Sequence, residues 1–215
     1  MYLPALTIET DPDTLHALMG AHPLGTWVTQ SEGGVTADHI PFLLDRDVGA
    51  HGMLVGHVAR ANPVWQTLGQ GTESLVIFQG AQSYITPSWY PAKQEHGKVV
   101  PTWNYAVVHV HGTPRAIEDK DWLHRLVSRL TNTHEAPRAA PWAVADAPAE
   151  YIDGMLQAIV GIEIPIARIV GKWKVSRNRP GADRQGVVDG LTANGDEASA
   201  AMAELVQCSP NVSSG

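Results

Sequence analysis

Between Ser83 and Gly112 the chain reads SYITPSWYPAKQEHGKVVPTWNYAVVHVHG, which sets Trp89, Tyr90, Trp103 and Tyr105 among hydroxyls, an amide and histidines. Two of the seven tryptophans and three of the five tyrosines fall in this stretch. Ser88, Thr102 and Asn104 stand directly beside the rings, so the stretch suits a flat ring with a polar rim: the aromatics supply faces and their neighbours supply hydrogen bonds.

Two other segments could hold an anion. GHVARANP ends a strand and opens a short helix, so Arg60 can offer its rigid fork to a phosphate, helped by free N–H groups at the helix start, with His57 nearby. Read in isolation, the same eight residues make Arg60 a surface ion pair and Asn62 a helix cap. GKWKVSRNRP gathers Lys172, Lys174, Arg177 and Arg179 in an otherwise acidic chain. Strand alternation puts Lys172 and Lys174 on one face and Trp173 on the other. That is either a solvated strand end or a local anion pocket beside a ring.

The same alternation sorts VPTWNYAVVHVHG. Trp103, Tyr105, Val107, His109 and His111 share one face, and Asn104, Ala106, Val108 and Val110 share the other, a small and mostly apolar face fit for packing. His109 and His111 lack a third ligand at metal-binding spacing, so no metal site is expected; they read as hydrogen-bonding or interface histidines. No GxGxxG after a strand, GxxxxGK[ST], HExxH or GxSxG is present, which removes support for dinucleotide folds, P-loops, zincins and the hydrolase elbow.

The elements that must position these residues are short and mostly extended. Asp11-Pro12 starts a helix to about Gly20. Strand texture follows in LGTWVTQ, VTADHIPFLLD and AHGMLVGHV, broken by turns. PVWQTLG reads as a short helix, Glu73 to Gly80 as a strand, and Thr102 to about Ile117 as one long strand. Asp119 to Thr131 is the best amphipathic helix. A helix around Glu150 to Gln157, a strand from Ile159 to Val170, and a polar, helical end with a loose PNVSSG tail complete the chain. The fold class is mainly β with inserted helices (α+β), in a small barrel that closes its edges.

The chain has 215 residues, 44% of them hydrophobic, a formal net charge of −7 and one cysteine, Cys208. One substantial domain, or a compact domain with an appendage, is expected. The negative charge repels phosphate backbones, which weighs against direct DNA contact. A single cysteine excludes an internal disulfide framework and a CxxC motif, and no secretory signal or apolar run long enough for a membrane is read, so a cytoplasmic location is expected.

TADHIPFLLD, GHVARANP, SYITPSWY, VPTWNYAVVHVHG, HEAPRAAPW, IVGIEI and GKWKVSRNRP, in this order, resemble the PaiB family of FMN-binding negative transcriptional regulators, over residues 1–191. The resemblance implies an FMN-binding split β-barrel related to pyridoxamine-phosphate oxidases, working as a homodimer with FMN at its interface. It leaves residues 192–215 as a C-terminal helix and tail of no assigned role. It also implies that GHVARANP, through His57, Arg60 and Asn62, holds phosphate, and that Lys172, Trp173 and Lys174 close over the flavin. Ser88, Trp89, Thr102, Trp103, Asn104 and Tyr105 then form the ring side. Gly80-Ala81-Gln82 departs from the family's Gly-Pro-His, and Arg177 stands where glutamine is usual. Three functions are consistent with this: a flavin-linked regulator or sensor, a flavin-dependent oxidoreductase acting on a small molecule, with haem degradation the weaker variant, and a non-catalytic binding module.

Overall fold

Prolines and glycines cut the chain into short strands, with helices set between them. The computed structural model describes residues 1–68 and 71–210. In chain order the elements are β1 (Ile8–Glu9), α1 (Pro12–Ala21), β2 (Leu24–Ser31), β3 (Gly34–Pro41), β4 (Leu43–Asp45), β5 (Met53–Ala59), β6 (Ser74–Ile85) and α2 (Ala92–Glu95). They continue with β7 (Thr102–Gly112), β8 (Arg115–Ile117), α3 (Lys120–Glu135), α4 (Ala149–Gln157), β9 (Ile159–Pro165), β10 (Arg168–Lys174), α5 (Gly181–Asn194) and α6 (Glu197–Cys208). The chain divides into two compact units, one of residues 1–21, 79–108 and 170–215, the other of residues 22–78 and 109–169.

In the second unit, β2 and β3 form a hairpin closed at Ser31↔Gly34, and β2 pairs on its other side with β6 through Leu75–Ile77. Alternation along β2 turns Gly25, Trp27 and Thr29 inward. Trp27 is fully buried and donates its indole N–H to Ser74 Oγ at 3.0 Å, and Ser74 donates in turn to the Gly112 carbonyl. The ring is therefore buried without orphaning its polar edge. A second antiparallel sheet runs β4-β5-β9-β8. α3 is capped by Asp119, whose carboxylate accepts from Trp122 N at 2.7 Å, and it buries Leu123, Leu126 and Leu130. Trp122 lies directly on Gly161, where an added Cβ would stand 2.2 Å from the ring.

In the first unit, strand order is β1-β10-β7-β6, through residues 79–85 of β6 and 102–108 of β7. β1 pairs with β10 at Ile8↔Lys172. α5 and α6 pack together as a C-terminal helical hairpin.

The mainly β architecture with inserted helices agrees with expectation, as does the helical C-terminus. Several details differ. The strand read over Thr102–Ile117 is two, because the chain leaves β7 at Thr113-Pro114 and β8 joins the other sheet. The strand read over Ile159–Val170 likewise breaks at Pro165–Ala167 into β9 and β10, in different sheets. Proline has no N–H to give a ladder, and the direction changes there. Instead of one meander closing its edges, the strands form a six-stranded and a four-stranded sheet. The division drawn at Leu191 falls inside α5, and of the PNVSSG tail all but Pro210 lies outside the described residues.

Candidate functional site

The residues singled out from the sequence fall into two groups, one in each unit. His57, Arg60 and Asn62 belong to the unit of residues 22–78 and 109–169. β5 ends at Ala59, and Arg60 turns its guanidinium onto its own chain: Nε donates to Gln157 O at 2.8 Å, Nη1 to Glu118 Oε2 at 2.6 Å and Nη2 to Ile159 O at 3.1 Å. Asn62 caps the short helix Pro63–Thr67 by accepting from Val64 N, and its amide donates to Asp38 Oδ1 at 2.7 Å. Both oxygen and nitrogen of the Asn62 amide are thereby fixed. His57 is partly buried, its Nδ1 is enclosed with no hydrogen-bond partner among the described residues, and burial pushes its pKa down.

Beside Asn62 opens a cleft of about 260 Å³ lined by Thr29, Ser31, Thr36, Asp38, Asn62 and Thr67 among others. It offers hydroxyls, one amide and one carboxylate, and among the described residues no cation lines it. Asp38, Thr29 and Thr36 were not singled out from the sequence. The signal was there: Thr36 and Asp38 alternate along TADHIPFLLD, and Thr29 faces Thr36 across the hairpin, their hydroxyls 2.9 Å apart.

The second group lies in the other unit. β7 presents the two faces expected of it: Asn104, Ala106 and Val108 are buried, whereas Trp103 is 50% exposed and Tyr105 partly so. Trp103 donates its indole N–H to Gln82 Oε1 at 3.0 Å and meets Tyr84 edge-to-face at 6.2 Å. Gln82 stands at the departure from the Gly-Pro-His pattern, where it braces the exposed ring. Lys174 donates to Thr102 Oγ1 at 2.6 Å and to Trp103 O at 2.9 Å. Lys172 is only 8% exposed; its ammonium donates to Tyr2 O at 2.9 Å and lies 5.4 Å from the Tyr105 ring and 5.8 Å from that of Tyr2. Among the described residues neither lysine has a carboxylate partner.

The remaining members are held by structure. Asn104 is 1% exposed and donates to Ser176 Oγ, Trp173 is 3% exposed in the core, and Arg177 pairs with Glu9 at 2.6 Å and donates to Ile8 O. Ser88 is exposed and accepts from Lys93. Trp89 lies against α5: a Cβ at Gly190 would stand 2.3 Å from its indole and one at Gly186 would stand 1.9 Å from its carbonyl oxygen. Arg179, just before α5, covers the buried Tyr90 ring at 4.6 Å, and Asp183 in α5 accepts from Ala92 N, so α5 and the residues leading into it hold this segment at three points. His109 and His111, farther along β7, belong to the unit of residues 22–78 and 109–169. His109 is partly buried, and burial, with His111 and Arg168 nearby, lowers its pKa to about 4. His111 Nδ1 stands 3.3 Å from Glu73 Oε2. No cluster with metal-holding composition occurs among the described residues.

The aromatic faces and the two lysines, which meet no carboxylate among the described residues, fit a planar ligand bearing a phosphate. The family model described as "Putative FMN-binding domain" matches residues 1–168. The Bacillus subtilis protease synthase and sporulation protein PAI 2 is 30% identical over 207 residues, covering 96% of this chain and 97% of its own. An uncharacterized Saccharomyces cerevisiae protein is 47% identical over 158 residues, 64% of this chain and 92% of its own. In architecture the chain resembles the flavocytochrome Anf3 of Azotobacter vinelandii, with a TM-score of 0.56 and 14% identity over 84% of this chain and 73% of that one. That likeness concerns the fold alone. With the family model over most of its length and a relative matched nearly end to end, the chain belongs to the PaiB-type family of FMN-binding proteins.

Proposed function

We propose that this protein is a homodimeric FMN-binding flavoprotein acting as a flavin-linked sensor with a negative regulatory output. The observation that carries the site is the face of Trp103, Tyr105, Lys172 and Lys174. In a chain of formal charge −7, two ammonium groups that have no carboxylate partner among the described residues, beside the exposed Trp103 and the partly exposed Tyr105, leave local positive charge for an incoming anion. Lys172 and Lys174 take the phosphate, Trp103 and Tyr105 take the ring, and Thr102 orders that face by accepting from Lys174. In the other unit, Asn62 lines the hydroxyl-rich cleft with Thr29, Thr36 and Asp38, while Arg60 is held by Glu118 and two carbonyls. FMN supplies electron transfer when bound, while the protein binds it, orients it and limits water at the ring.

The regulatory output runs through another protein and not through DNA contact, because the overall charge opposes a phosphate backbone. A gel-shift titration at two salt concentrations tests this: no shift at low salt is expected, whereas a shift with a steep salt slope would establish direct contact. Binding itself is tested by quenching of flavin fluorescence with FMN and riboflavin side by side. FMN binds more tightly, and Lys172→Met erases most of the difference; equal affinity for both flavins would remove the lysines from the site.

A flavin-dependent oxidoreductase is the second reading, and His109 favours it. Its imidazole stays neutral down to about pH 4, so it can exchange hydrogen bonds with a small molecule at neutral pH. Anaerobic addition of NADH or NADPH separates the readings: rapid bleaching of bound flavin supports the enzyme, and inertness supports the sensor.

A further inference from the structure

Tyr2 meets the lysine face in a way that its own burial does not explain. Its carbonyl accepts from Lys172 Nζ at 2.9 Å and its ring lies 5.8 Å from the same ammonium, yet Tyr2 is 82% exposed. Lys172, by contrast, is 8% exposed and has no carboxylate among the described residues. A buried ammonium is costly unless its donors find oxygen, so it takes the oxygen within reach. Tyr2 brings an oxygen acceptor and an aromatic ring, the two kinds of group that a planar ligand with an anionic substituent would bring.

The tether that delivers Tyr2 is short and well anchored. Ile8 is paired with Lys172 in the β1–β10 ladder, and Thr7 closes a turn onto the Pro4 carbonyl through both its N–H, at 2.8 Å, and its hydroxyl, at 2.9 Å. Tyr2 stands before this turn, outside the β1–β10 ladder. Such a tether keeps the local concentration of Tyr2 high at Lys172, while its exposure leaves little packing to hold it there.

We propose that Tyr2 is a built-in stand-in for the ligand, a strap that occupies Lys172 in the free protein and leaves when a planar ligand with an anionic group arrives. This rests on the reading that Lys172 serves the flavin phosphate. The strap lowers apparent affinity by the fraction of time it is closed. Closure for two-thirds to nine-tenths of the time corresponds to a penalty of about three- to tenfold.

The experiment uses the full chain freed of flavin, titrated with FMN and with riboflavin by fluorescence quenching and by stopped flow. Tyr2→Gly keeps the carbonyl but removes the ring that helps hold it at the ammonium, so it binds FMN about three- to tenfold more tightly, with faster association, and binds riboflavin as the parent does. Tyr2→Phe keeps ring and carbonyl and behaves as the parent. Unchanged FMN affinity in Tyr2→Gly overturns the strap, weaker affinity makes Tyr2 a wall of the site instead, and an equal gain for riboflavin means that Tyr2 blocks the ring and does not stand in for the anion. Lys172→Met separates the strap from the site. If that variant binds FMN like the parent, the lysine reading and the strap fall together; if it weakens FMN while Tyr2→Gly does nothing, the strap alone falls.

Discussion

Arg60 and the pair Lys172 and Lys174 are the two places where positive charge was expected to meet a phosphate, and their surroundings differ in kind. Arg60 spends its donors on Glu118 and on the carbonyls of Gln157 and Ile159. Its charge is neutralised by its own unit, and its fork ties the end of β5 to the segment that enters β9. Among the described residues the lysines meet a hydroxyl, two carbonyls and ring faces, and no carboxylate. Hydrogen bonds to neutral oxygen satisfy donors without cancelling charge, so the lysine face keeps a field for an external anion. A cation's availability is thus decided by what already answers it, and only then by its residue type.

The double variant K172M/K174M is the strongest test of that comparison. Removing two charge-assisted contacts to phosphate, each worth about 1.5–3 kcal/mol, weakens FMN by roughly a hundredfold or more while riboflavin changes little. Fluorescence titration reads both ligands, and parallel losses would put the lysines in the scaffold.

Arg60→Ala is the mirror experiment. It strips partners from Glu118 and two carbonyls, and chemical denaturation should show about 1–3 kcal/mol of lost stability. The ratio of FMN to riboflavin affinity should stay near that of the parent. A selective loss of FMN would make Arg60 a phosphate ligand after all and reverse the comparison.

Much of the lysine face was legible in the sequence because its order is local. The alternation of β7 separated Trp103 and Tyr105 from Asn104, Ala106 and Val108, and burial follows that division. Alternation also separated Trp173, now in the core, from the lysines, although both lysines are partly or largely covered. What answers Arg60 was not legible, since its partners stand 58 to 99 residues away along the chain. Tyr2 was hidden for the same reason, 170 residues from Lys172. Trp89 shows how a correct residue type can carry an unforeseen contact. Its indole suits a planar ligand, but one side of it meets the helix at Gly190, a position that only the folded hairpin brings near.

Gly190→Val divides the aromatic region itself into ligand face and scaffold. A side chain there overlaps the Trp89 indole, and overpacking of this kind costs about 1–3 kcal/mol, read as a lower denaturation midpoint. If FMN affinity holds while stability drops, Trp89 anchors the C-terminal hairpin and the ring site is confined to Trp103 and Tyr105. If FMN binding is lost in a variant that still folds cooperatively, Trp89 joins the ligand face.

The smallest expected effect concerns His109, on the same alternating face of β7 as Trp103 and Tyr105. Burial chiefly, with His111 and Arg168, lowers its pKa from 6.5 to about 4. The unfolded chain therefore binds a proton near pH 6.5 that the folded protein refuses until about pH 4. Across that window the unfolded state holds more protons, so stability falls as pH falls, and below about pH 4 this contribution levels off. His57, also lowered by burial, adds to the slope in the same direction. Because His109 is only partly buried, its share is about 1–2 kcal/mol after solvent screening. Urea denaturation at pH 7, 6 and 5 should give a steeper decline for the parent than for His109→Gln. Equal slopes would mean that His109 accepts its proton in the folded protein, and the one observation favouring an oxidoreductase would go with it.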